Sequence, residues 1–168
     1  MKTRLLLPLA LLLAAGCSAQ AFREFAPPGG KFRVEMPGFP REETREVKTG
    51  KLKLYISDVN QGSYSVQWID LPSARDEDAA TQKRHLAQAR DKGIENVSGK
   101  LIKDEEIKLD GKYPGSDFTA DVPSVNGQMH CRLYLVDGRL YQLIVVGRKA
   151  FVEGSGPVRF FESFRLQP

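Results

Sequence analysis

The dipeptide Asp137-Gly138 lies between two short segments, residues 128–136 and 139–147, and constrains the fold more than any other feature of the chain. A two-residue turn of type I′ needs positive φ at both central positions, and Asp-Gly supplies it at little steric cost. The two flanking segments are therefore expected to form an antiparallel hairpin. In the first, Met129, Cys131, Leu133 and Leu135 share one phase, and His130, Arg132 and Tyr134 share the other. Successive strand residues point to opposite faces, so Cys131 is expected in the core and His130 away from it. Residues 140–146, LYQLIVV, are nearly all apolar, which predicts a central strand covered on both faces.

The same punctuation recurs along the chain. Phe32, Val34 and Met36 alternate with charged residues, a half-buried strand that Pro37-Gly38-Phe39-Pro40 ends. Residues 51–59 and 63–71 flank Asn60-Gln61-Gly62 as a second hairpin. Asp110-Gly111, Tyr113-Pro114-Gly115 and Asn126-Gly127 mark further turns between short strands. Residues 41–50 are charged and poor in apolar side chains, so a loop or irregular edge is expected there.

Two helices are predicted. Residues 72–78 offer capping oxygens and acidic groups for the first. Its apolar stripe of Ala79, Leu86 and Ala89 is thin, so it should lie on a sheet, and Gly93-Ile94 reads as its stop. Gly154-Ser155-Gly156-Pro157 opens the second, residues 158–164, with Phe160, Phe161 and Phe164 as its buried stripe. The sum is an α+β fold: a single, mainly antiparallel sheet of about seven strands flanked by two helices. Strand and helix do not alternate, which excludes a doubly wound nucleotide fold.

The amino terminus has a different character. Lys2 and Arg4 precede an apolar run over residues 5–13, broken only by Pro8. Small residues follow, in the layout of a secretory signal. A membrane-crossing helix needs about 20 apolar residues, roughly twice what is present. Leu13-Ala14-Ala15-Gly16-Cys17 resembles the lipobox of bacterial lipoproteins, with Ala14 where that family prefers Leu. The resemblance implies cleavage before Cys17 and acylation of its thiol. Residues 1–16 are then a signal peptide, residues 17–29 a lipidated cysteine and tether, and residues 30–168 one α+β domain. Ser18 after the cysteine, rather than Asp, implies an outer-membrane destination facing the periplasm. Ala19-Gln20-Ala21 offers an alternative small-x-small site, which would release a free domain beginning at Phe22.

Of 168 residues, about 150 remain after the signal, enough for one domain with its own core. Of 25 basic residues, Lys2 and Arg4 leave with it, so 23 stand against 21 acidic ones. That balance is too even for a nucleic-acid binder. Only Cys17 and Cys131 are present, so the fold stands without a disulfide framework.

The stretch Phe32-Arg33-Val34-Glu35-Met36-Pro37-Gly38, the hairpin and helix after it, Pro114-Gly115 and the closing Phe160-Phe161-Glu162-Ser163-Phe164-Arg165-Leu166 resemble small domains of the Mog1/PsbP-like superfamily. That group includes lipoproteins of the DcrB kind and photosystem PsbP proteins. Over residues 30–166 the resemblance is one of layout, with Phe39 where a Trp often follows the first Pro-Gly pair. It implies an α/β/α sandwich used for binding or assembly.

No chemical motif stands out. Cys131 reads as a small buried hydrophobe. His85 sits among Lys83, Arg84 and Arg90, as on a solvated helix face, and the two histidines show no metal-ligand spacing. Asp58-Val59-Asn60-Gln61-Gly62 lacks the later acidic ligands of a calcium loop. Asp104-Glu105-Glu106 reads as a solvated edge, and no nucleophile elbow, phosphate loop or dinucleotide fingerprint occurs. No catalytic residue, metal ligand or cofactor site is assigned. Tyr55, His130, Arg132 and Tyr134, out of phase with the core, form a candidate interaction surface. The expected function is a membrane-anchored envelope lipoprotein with a non-catalytic binding or assembly role and an envelope protein as partner. A small hydrolase or thiol enzyme is the alternative, and it requires Cys131 or His130 in an open cleft beside a carboxylate.

Overall fold

A computed structural model describes residues 20–168, so Cys17 and the signal lie outside the described residues. The chain runs β1 (Phe22–Phe25), β2 (Phe32–Pro37), β3 (Arg41–Val47), β4 (Gly50–Val59), β5 (Gly62–Asp70), α1 (Ala79–Asn96), β6 (Lys100–Leu109), β7 (Tyr113–Val122), β8 (Gly127–Val136), β9 (Arg139–Gly147), α2 (Lys149–Val152), α3 (Ser155–Ser163) and β10 (Arg165–Leu166). Short 3-10 turns at Pro72–Arg75 and Pro123–Val125 fill two connections.

Seven strands form one antiparallel sheet in the order β3-β4-β5-β9-β8-β7-β6. Two meanders build it, and α1 carries the chain between them, so that β9 returns to pair with β5. Asp137 and Gly138 have φ of +47° and +79°, as the type I′ turn requires. The apolar β9 lies between β5 and β8, and Leu140, Tyr141, Leu143 and Val145 are buried across its two faces.

Each face has its own cover. On one, α1 lies over Phe118, Ala120, Met129, Cys131 and Leu133, inserting Leu86. On the other, a three-stranded sheet, β1-β2-β10, and α3 enclose an aromatic core of Phe32, Tyr64, Trp68, Tyr141, Phe160 and Phe164. The α+β sandwich expected from the sequence is present.

Four local expectations change. Residues 41–47 form an edge strand, β3, although Arg, Glu and Thr give it no apolar period. Its register comes from β4, with Glu43 opposite Leu54 and Lys53 bonded to Glu42 at 3.1 Å. Charge on both faces also blunts the edge against further pairing. Residues 22–25, expected within a tether, form β1, because Phe22 packs on Tyr64 and Phe25 on Tyr55. Helix α1 passes through Gly93 and ends at Asn96, where Ser98 takes φ +49° and Gly99 N–H donates to Ile94 O at 2.9 Å. Its amino-terminal cap is Asp78, which accepts from Thr81 N–H at 2.9 Å. The last helix starts three residues early, at Ser155, and α2 adds an unforeseen turn before it.

Candidate functional site

Cys131 lies where its strand phase places it. It is 2% exposed among the side chains beneath α1. Burial pushes its thiol well above the usual range, and the Asp117 charge adds to that shift. The reactive form of a cysteine is the thiolate, which this environment suppresses.

His130 faces the opposite layer. Its Nε2–H donates to Asp117 Oδ1 at 2.6 Å. Arg132 donates to the other oxygen at 2.7 Å and, through a second nitrogen, to Glu162 of α3 at 2.7 Å. The His130 ring lies 4.4 Å from that of Phe161. Burial raises the Asp117 carboxyl, but hydrogen bonds and charges from His130 and Arg132 outweigh it and leave the group below the usual range. The cluster works as a clamp, with one carboxylate on β7 gathering two β8 side chains and Arg132 extending the chain to α3. A cleft of about 320 Å³ opens beside it, lined by His130, Thr119, Gln128 and Val158. Thr119 stands directly opposite His130 in register.

The expected surface of Tyr55, His130, Arg132 and Tyr134 is not assembled. Tyr55 is buried between Trp68 and Phe25, and Tyr134 is buried against Phe164. These positions do face away from Cys131, but the second layer covers them. Strands β5 and β9 also separate Tyr55 from the other three. Asp104, Glu105 and Glu106 divide between the two faces. Asp104 accepts from Ser116 at 2.7 Å and pairs with Arg90 of α1, Glu106 pairs with Lys83 of α1, and Glu105 pairs with Lys103 at 2.9 Å. His85 is held by Glu77 at 2.7 Å. Among the described residues, no three of His, Cys, Asp and Glu gather as metal ligands.

A larger cleft, about 720 Å³, opens at the tip of the β8–β9 hairpin. Sequence reading missed it because residues distant in the chain build it. Lys31 precedes β2 with φ +57°, a conformation held in part by Gln167 N–H donating to Lys31 O at 2.9 Å. Arg75 comes from the 3-10 turn, which docks through Leu71 N–H to Gly138 O at 2.6 Å. The floor is rigid. Arg139 grips Asp70 through two bonds, of 2.6 and 3.0 Å, and Tyr141 donates to Gly30 O at 2.9 Å. Arg139 and Asp70 neutralise each other, and Asp137 accepts from Tyr113 at 3.2 Å. Among the described residues, neither Lys31 nor Arg75 has a carboxylate partner. Arg75 donates only to the Asp137 carbonyl, at 3.3 Å, which leaves its terminal nitrogens free. Two cations without carboxylate partners stand in this aromatic-floored cleft against one carboxylate, Asp137, that only the Tyr113 hydroxyl engages, so Lys31 and Arg75 together suit an acidic ligand group. The only signal in the sequence was the hairpin tip itself.

Comparison with known proteins addresses the fold. No protein-family model and no curated protein sequence matches the chain. The solution structure of cyanobacterial PsbP (CyanoP) from Synechocystis sp. PCC 6803 superposes with a TM-score of 0.59 at 12% identity, over 93% of this chain and 98% of that one. A Pseudomonas aeruginosa protein of unknown function, titled a putative regulator, gives a TM-score of 0.41 at 11% identity, over 82% of this chain and 90% of that one. The CyanoP superposition makes the fold PsbP-like, an antiparallel sheet covered on both sides.

Proposed function

We propose that this chain is a lipid-anchored protein of the bacterial cell envelope whose folded domain binds an acidic ligand or partner and carries no chemistry of its own. The observation that carries the binding role is the 720 Å³ cleft with Lys31 and Arg75 unmatched at its rim. The groups best suited to chemistry have structural work elsewhere, Cys131 in the core and His130 in the clamp. The anchor rests on Leu13-Ala14-Ala15-Gly16-Cys17. Gly38 N–H donates to Ala21 O at 3.2 Å, a contact that cleavage after Ala21 would remove. A lipid-bearing Cys17 leaves it intact. A single acyl chain binds a membrane marginally and two or more hold firmly, so a multiply acylated Cys17 keeps the protein on its membrane. Ser18 favours the outer membrane, with the domain in the periplasm.

The intact mass of protein taken from membrane fractions tests the anchor. A species beginning at Cys17 plus lipid, lost in Cys17→Ala, supports it, and a soluble species beginning at Phe22 refutes it. Thermal unfolding with added citrate tests the cleft. Wild type should be stabilised and a Lys31→Ser/Arg75→Ser variant should not, because a ligand that binds only the folded state raises stability by mass action. An enzymatic second reading has one observation in its favour, that His130, held by Asp117 behind it, lines the smaller cleft. Ester hydrolysis by wild type that disappears in a folded His130→Gln variant would establish it instead.

A further inference from the structure

The folded domain begins beside one turn. Phe22 pairs with Pro37, and Ala21 O accepts from Gly38 N–H at 3.2 Å. The Gln20 side chain also packs there, with its oxygen 3.0 Å from where a Gly38 Cβ would stand. Gln20 thus lies against the turn at residues 37–40. Two residues, Ser18 and Ala19, separate it from Cys17, and the three steps reach at most about 11 Å when fully extended. Whatever surface holds Cys17 must come close to this turn.

The turn carries Phe39, 82% exposed and the most exposed large apolar side chain among the described residues. Gly38 takes φ +66° and is held by its bond to Ala21 O, and Pro40 locks its own φ just beyond. The guanidinium of Arg23 lies 4.7 Å from the Phe39 ring centroid. Strand β3 starts just beyond, at the end of the large sheet where β6 also starts and β7 stops. Leu101 and Ile102 of β6 and Val125 of the 3-10 turn before β8 are exposed at that same end. Arg23, Lys100 and Arg148 are there too, and among the described residues none forms an ion pair with a carboxylate. The carboxylates at this end are engaged, Asp58 by Arg41 at 3.4 Å and Asp121 by Gln128 at 3.3 Å. Protruding apolar side chains that share one end of a domain with unpaired cations are a composition that settles at a bilayer surface.

We infer that the turn bearing Phe39 inserts into the surface of the bilayer that anchors Cys17, with Arg23, Lys100 and Arg148 toward the headgroups. This rests on the lipid-anchor reading of Cys17. It adds an orientation, because a lipid on a free tether leaves the domain to tumble, whereas a second contact beside the tether fixes which end faces the membrane. A single stiff ring suffices for this because the tether already holds it close to the bilayer.

The test uses the Phe39→Trp variant purified from membranes, its mass determined, and reconstituted into phosphatidylethanolamine–phosphatidylglycerol vesicles with lipids brominated at graded depths. The one native indole, Trp68, is buried in the core, so wild type supplies the background signal. The indole at position 39 should shift to the blue on vesicles. It should be quenched most by bromines about 5–10 Å below the headgroups. Phe39→Ser, at so exposed a position, should keep the wild-type melting temperature while the domain loses its fixed orientation, read as faster depolarisation of a surface dye. A lipidated protein whose indole stays solvent-like and unquenched overturns this inference alone and leaves Phe39 to a protein partner. A mass beginning at Phe22 overturns the anchor and this inference together.

Discussion

Replacing Phe32 by Ala tests how the second layer is joined to the sheet. Phe32 is fully buried and meets three elements. Its ring lies edge-on to Trp68 of β5 at 5.6 Å and to Tyr141 of β9 at 5.7 Å, and against Phe164 after α3 at 5.3 Å. Truncating a buried Phe costs about 3–5 kcal/mol, from lost transfer energy and the cavity left behind. Aromatic pairs add about 0.5–1.5 kcal/mol each beyond area. Three such contacts put Phe32→Ala at the upper end of the truncation range. In a domain of this size each kcal/mol moves the melting temperature by about 2–4 °C. At about 4–5 kcal/mol the expected fall is then about 8–20 °C. Urea titration followed by Trp68 emission reads it directly, because Trp68 is the only tryptophan and touches Phe32. The midpoint should drop with little change in slope. A loss below about 1 kcal/mol would refute the reasoning, since that is the size of an ordinary substitution. It would mean that β2 does not pack on the large sheet through this ring.

Asp117→Asn should flatten the acid limb of the stability curve. The folded carboxyl lies below its unfolded value, so its contribution is present above about pH 4 and is lost as pH falls through the folded value. Wild type should therefore lose stability on acidification more steeply than the variant, measured by urea midpoints from pH 6 to about pH 3. Cys131 should resist a thiol reagent in native buffer and react on unfolding, and Cys131→Ser should destabilise more than Cys131→Ala, because an unpaired buried hydroxyl costs about 1–3 kcal/mol. Gly127→Ala should be among the most damaging single-methyl additions. A Cβ there would collide with the Gly147 carbonyl of the neighbouring strand, where only backbone movement can make room. The check is loss of soluble expression or a melting temperature lowered as far as in Phe32→Ala.

What could be read from the sequence followed local physics. The Asp137-Gly138 turn, the alternation of β2 and the apolar run of β9 each encode their structure within a few residues, and from them the α+β sandwich follows. Strand β3 was obscure because charge on both faces erases the period-two signal, and only its pairing with β4 reveals it. Strand β1 was obscure because Phe22 and Phe25 depend on partners, Tyr64 and Tyr55, more than 25 residues away. The phase of Cys131 was readable, but the cover over Tyr134 was not, since strand phase says which face a side chain takes and nothing of what lies above it. The cleft is the extreme case. Lys31, Arg75 and the Asp137 turn meet only after β2, the 3-10 turn and the hairpin tip have been placed by the core.

Strand β2 connects the two proposed surfaces. Lys31, at its start, lines the cleft, and Pro37, at its end, leads into the turn bearing Phe39. The cleft lies at the β8–β9 tip, and the Phe39 turn lies toward the opposite ends of the strands. A strand of nine residues such as β9 spans about 30 Å. In the proposed orientation the cleft stands that far from the bilayer. An anionic membrane repels an acidic ligand, but its field decays over about 8 Å at physiological salt. The length of the sheet therefore lets one small domain contact anionic lipid with one end and take up an acidic group at the other. A cleft built at the Phe39 end would set those two interactions against each other.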